Sequence, residues 1–172
     1  LSTSPIPHGV RTFEILFDFV DHQLRIECSD GATEHIALRP IPVADFYAEV
    51  MASLARLGIQ ARIWTMPSEI QNAIPFEQDR THAQYDAAMA ERFWRALVQA
   101  DRLFKQFRAR FIGKVSPVHF FWGALDLACT RFSGRGAPRH PGGAPNVGDW
   151  VMVEGYSREL SSCGFFAGGG DE

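Results

Sequence analysis

Polar and apolar positions alternate cleanly near the start of the chain. From Arg11 to Asp18, Phe13, Ile15 and Phe17 fall on one side and Glu14 and Asp18 on the other. That period of two marks a strand with one buried face. A polar turn, Asp21-His22-Gln23, leads into residues 24–28, which alternate again. Ser29-Asp30-Gly31 reads as a second turn and residues 34–38 as a third short strand, so the pattern predicts an antiparallel meander. Pro40 and Pro42 end it. Val43, Phe46, Tyr47, Val50, Met51, Leu54 and Leu57 then recur at helical spacing. Pro42 suits the first helical position and Gly58 the residue just past the end. Residues 59–64 resemble a further strand, and residues 66–81, with Pro67 and Pro75 and no period, a loop.

A second helix is predicted over residues 86–111, with Asp86 as its N-cap. Met89, Phe93, Leu97, Ala100, Phe104, Phe107 and Phe111 form one stripe, which Trp94, Val98 and Leu103 widen, and Gly113 and Pro117 stop it. Residues 118–132 are the most apolar run. Their length and aromatic content fit one long buried strand with Gly123 as a bulge, although a helix is also compatible. In residues 134–148, eight of fifteen are Gly or Pro, which predicts a mobile loop. Residues 156–166 offer a last strand. The expected fold is α+β: a mostly antiparallel sheet with two amphipathic helices, 43–57 and 86–111, packed on it in a single domain over residues 1–172.

Composition narrows the class only a little. A chain of 172 residues, 46% hydrophobic, is long enough to enclose a core. Its net charge is −3 and its cations are scattered among acids, which argues against nucleic acid as a partner. The one locally basic stretch, Arg102, Lys105, Arg108, Arg110 and Lys114, lies at a predicted helix end, where cations complement the dipole. It reads as a solvated helix end rather than a phosphate-binding patch. Cys28, Cys129 and Cys163 are odd in number, far apart and in no metal-ligand spacing, so they read as small core residues in a reducing compartment. With no apolar run of transmembrane length and no signal peptide, the expected location is the cytoplasm and no membrane partner is expected. The chain opens without Met and closes on Ala167 and three glycines before Asp171 and Glu172, which reads as an internal fragment of a longer protein.

One resemblance is specific. Gly113-Lys-Val-Ser-Pro-Val-His-Phe-Phe-Trp-Gly-Ala-Leu-Asp-Leu-Ala, continuing through Thr130-Arg-Phe-Ser-Gly-Arg135, is similar to the signature of an uncharacterised bacterial family, a domain of unknown function numbered five-nine-nine-six. Arg11-Thr-Phe-Glu-Ile, Phe17-Asp-Phe, Arg62-Ile-Trp-Thr-Met-Pro, Arg92-Phe-Trp and Pro141-Gly-Gly match its pattern too, so the likeness covers nearly the whole chain. Members of that family carry extra sequence on both sides. The resemblance implies no established activity, cofactor or substrate.

Candidate chemistry gathers on two pairs. Asp79 and His82, three apart, can share one side of a turn, and His119 and Asp126 lie in the apolar run, where an ionisable group needs a partner. A carboxylate beside a His sets its tautomer and tunes it for acid–base work. If the pairs met, Asp79, His82 and His119 could hold a divalent metal, with Asp126 completing the set. On one regular strand His119 and Asp126 would face opposite ways unless a Gly123 bulge realigned them. Phe120, Phe121 and Trp122 could line a ligand pocket, and Arg131, followed by Ser133-Gly134-Arg135, could receive an anionic group. Core packing, a buried hydrogen-bonded pair and an ordinary turn account for the same residues without any ligand. Neither a nucleophile elbow nor a Gly-rich dinucleotide fingerprint is present.

Three functions are compatible with this. The first is a small-molecule-binding protein whose aromatic-lined cavity lies between sheet and long helix, with His119, Asp126 and Arg131 as polar contacts. The second is a hydrolase-like enzyme using His82, His119 and Asp126, with or without a metal. The third is a protein-interaction module displaying the loop at 134–148.

Overall fold

A computed structural model describes residues 1–168. Residues 169–172, most of the Gly-rich close, lie outside the described residues. The fold is α+β, with two antiparallel sheets and three α-helices among the described residues. Backbone proximity groups the chain, read from its sequence as one domain, into two compact units: residues 1–66 with 74–94, and residues 67–73 with 95–172.

The first unit holds a four-stranded meander: β1 (Ile6–His8), β2 (Arg11–Asp18), β3 (Gln23–Cys28) and β4 (Thr33–Ala37), in that spatial order. Phe13 pairs with Cys28, Ile15 with Ile26, Phe17 with Leu24, and Leu24 with Ile36. Directly opposed residues share a face, so the alternation read from the sequence becomes one continuous apolar surface. α1 (Val43–Arg56) covers it: Leu54, Leu57 and Ile59 join the buried cluster around Ile26, with Phe46, Val50 and Met51 packed beside them. Glu34 sits on the same face at the sheet edge, where Arg56 in the last turn of α1 pairs with it at 2.7 Å.

Gly58 ends α1 by adopting φ +72°. Its N–H donates to the Ala55 carbonyl and that of Ile59 to the Leu54 carbonyl, the two bonds of a Schellman cap, and Leu54 and Ile59 are both buried. This corrects the strand expected over residues 59–64. Ile59 belongs to the helix cap, and the stretch after it pairs with no strand, leaving Ile63 and Trp64 exposed. Pro42 also stands one residue earlier than expected, at the N-cap. Phe76–Gln78 forms a single 3-10 turn within the predicted loop.

α2 (Ala87–Ala109) begins where the capping residue predicts, the Met89 N–H donating to Asp86 Oδ1 at 3.0 Å. Its buried stripe is narrower than expected. Leu97 and Ala100 are buried, but Met89, Val98 and Leu103 are exposed.

The second unit contains a three-stranded antiparallel sheet, β5 (His119–Phe121), β6 (Asp126–Gly136) and β7 (Arg158–Phe165), with β6 in the middle, and the short α3 (Asp149–Gly155). The apolar run at 118–132 is therefore not one long strand. It folds back at residues 122–125, with Leu125 at φ +57°, so that the polar backbone groups of β5 and β6 satisfy one another. Gly123 lies in that reversal and is no bulge. Residues 134–136 continue β6, and the Gly/Pro-rich connection proper is 137–148.

Candidate functional site

A hollow in the first unit lies at one end of its sheet. Phe17 at the end of β2, Phe19 in the turn that follows, Leu38 just past β4, and Val43 and Phe46 in the first turn of α1 form its apolar wall. Residues 81–85, the approach to α2, close the other side with His82 and Tyr85. The volume is about 520 Å³, within the range that holds small organic ligands. Phe17 stacks on Phe19 with centroids 5.8 Å apart and tilts against Phe46 at 6.5 Å.

The approach segment is fixed in place by the start of α1. A helix begins with backbone N–H groups that have no partner inside it, and Pro42 at the N-cap offers no side-chain acceptor. The carbonyls of His82 and Asp79 fill that role, accepting from the Val43 and Ala44 N–H groups at 2.9 Å each. Asp79 then organises its own turn. Its Oδ1 accepts from the Thr81 and His82 N–H groups at 3.0 Å, and its Oδ2 lies 2.7 Å from His82 Nδ1.

These bonds, led by that from the His82 backbone N–H, hold the Asp79 carboxyl below its usual range despite its burial. An ionised carboxylate can only accept, so the proton lies on His82 Nδ1. The imidazole itself is open, its side chain 71% exposed against 8% for Asp79.

The cation that lines the hollow, Arg39, and the neighbouring Arg80 are both already paired. Arg39 binds Glu49 at 2.6 Å and Arg80 binds Asp45 at 3.1 Å. The Tyr85 hydroxyl meets His22 Nδ1 at 2.9 Å, and burial raises the pKa of Tyr85, keeping it a phenol.

Of the sequence-predicted residues, the fold brings Asp79 and His82 together. His119, Asp126, Trp122 and Arg131 belong to the second unit. His119 pairs with Ala128 and Phe121 with Asp126, so His119 and Asp126 do share a sheet face, through the hairpin register rather than a bulge. The His119 ring packs on Phe121, centroids 4.3 Å apart. Trp122 stands in the hairpin turn, 42% exposed, with its ring edge-on to Phe120. Arg131 lies 3.4 Å over the Phe107 ring and donates to the Phe107 carbonyl in the last turn of α2. Cys28, Cys129 and Cys163 are free thiols. Among the described residues no three His, Cys, Asp or Glu side chains gather as a metal site.

Sequence reasoning missed the cavity itself. Phe17 and Phe46 read as core, Phe19 and Tyr85 carried no periodic signal, and nothing joined His22 to Tyr85, 63 residues apart.

The model for the Family of unknown function (DUF5996) matches residues 1–172, and the chain belongs to that family. No curated protein and no solved structure matches it. Among the described residues, no helix is long and apolar enough to cross a membrane.

Proposed function

We propose that this member of a family of unknown function binds a small, largely apolar or aromatic molecule in the hollow of its first unit. The observation that carries the reading is the cavity of about 520 Å³, walled by Phe17, Phe19, Phe46 and Tyr85 and rimmed by the single Asp-oriented imidazole of His82. Apolar walls supply affinity roughly in proportion to the area they remove from water, and a few fixed polar groups orient the guest. The free thiols suit a reducing, cytoplasmic setting.

Naphthalene is a direct probe. Titrated into isotope-labelled protein, it shifts the amide resonances of residues 17–19, 43–46 and 81–85. Ala83→Phe places a ring in the hollow and weakens binding about tenfold or more. Shifts gathered elsewhere, or equal affinity in the variant, would reject the reading.

A second reading, a hydrolase-like enzyme, is favoured by the 2.7 Å contact between Asp79 and His82, the arrangement that prepares an imidazole for general-base work. Hydrolysis of p-nitrophenyl acetate that falls to the uncatalysed rate in His82→Ala supports it. Equal rates from both proteins count against it.

A further inference from the structure

Resting on the cavity reading above, we infer that the molecule bound there carries a weakly acidic hydroxyl, a phenol or an enol, and that His82 Nε2 accepts its hydrogen bond. Three observations converge on this chemistry. First, the ring is tied back through Nδ1 to Asp79 at 2.7 Å, so Nε2 is the imidazole nitrogen with no protein partner among the described residues, and it carries a lone pair. Second, an acceptor at the edge of an apolar hollow rewards a guest that brings a donor, because a guest without one leaves that nitrogen desolvated and unpaired. Third, the surrounding charge disfavours the two obvious rivals.

A carboxylate would find one lining cation, Arg39, and its guanidinium is already engaged by Glu49 at 2.6 Å. An ammonium would need a carboxylate, and among the described residues that line the hollow there is no Asp or Glu. A neutral donor faces neither cost. Tyr85, which also lines the hollow, has its hydroxyl engaged by His22 Nδ1 at 2.9 Å.

The test uses the intact chain and four probes with one ring system: naphthalene, 2-naphthol, 2-naphthoate and 1-naphthylmethylammonium, measured by calorimetry or amide shifts. The expected result is that 2-naphthol binds about tenfold tighter than naphthalene, the worth of one good hydrogen bond to a held acceptor. In His82→Ala the two bind alike. That variant keeps the fold, because His82 contributes to the start of α1 through its backbone carbonyl and not its exposed ring.

The inference is overturned if 2-naphthol gains nothing over naphthalene, if the gain survives in His82→Ala, or if either charged probe binds more tightly than 2-naphthol at neutral pH. In each of those cases naphthalene still binds and the cavity reading stands. Failure of naphthalene and 2-naphthol alike to bind the wild type removes both.

Discussion

The two units are similar in length but bury their apolar residues very differently. Among the described residues, nine of the buried hydrophobics lie in the first unit and four, Leu97, Ala100, Leu127 and Cys129, in the second. Of the seventeen large hydrophobics that remain exposed, twelve are in the second unit, including Ile112, Trp122, Trp150 and Phe166. Yet the most apolar stretch of the chain, residues 118–132, is in that second unit. Burial follows period and partner, not apolar content. In the meander, alternation puts Phe13, Leu24, Ile26 and Ile36 on one face and α1 supplies a matching surface. In the second unit β6 alternates only over its first residues, burying Leu127 and Cys129, while Phe120, Phe121 and Trp122 are consecutive, so these aromatics fall on both faces and in the turn.

The contrast is open to measurement. Ile26 is 0% exposed at the centre of the first cluster, and Ile26→Ala should cost about 2–5 kcal/mol in denaturant unfolding. Leu160→Ala, at a position 37% exposed on β7, should cost less than about 1 kcal/mol. Equal penalties would erase the distinction. Next in size is Arg131→Met, which removes a guanidinium stacked on Phe107 and bonded to its carbonyl. A loss of about 1–3 kcal/mol, confined to the second unit in hydrogen-exchange protection, would show that this one contact compensates for a thin core.

The smallest effect is expected from acid. The carboxyls of Asp18, Asp30, Glu34 and Asp79 are held below their usual range in the first unit, against Glu159 in the second. A carboxyl with a depressed folded pKa contributes stability that is present above its unfolded value, about 3.9 for Asp and 4.3 for Glu. That contribution is lost as the pH falls through the lower folded value. Residue-level exchange measured downward from about pH 5 should therefore show protection declining further in the first unit than in the second. The opposite order would mean that these bonded carboxylates matter less than the cores they adjoin.

How much of this was legible follows from the range of the signal. β2, β3, β4, α1 and α2 could be read because each is dictated by neighbours two to four residues apart and by local stops such as Gly58 and Asp86. The single strand predicted at 118–132 was wrong because an aperiodic apolar run does not encode where it turns back. The Asp79–His82 pair was legible because it is local. The hollow beside it was not, since Phe17, Phe46 and Tyr85 come from three separate stretches.

By itself the sequence determined the α+β class, the meander and its inward face, and the family to which the chain belongs. Only the tertiary structure decided that His82 borders an aromatic hollow, that His119 and Asp126 share a face through a hairpin, and that the guanidinium of Arg131 is held by α2. The physical reason is distance along the chain. Period and capping act within one turn or one strand, whereas a cavity is defined by side chains that meet only after the strands have chosen their register.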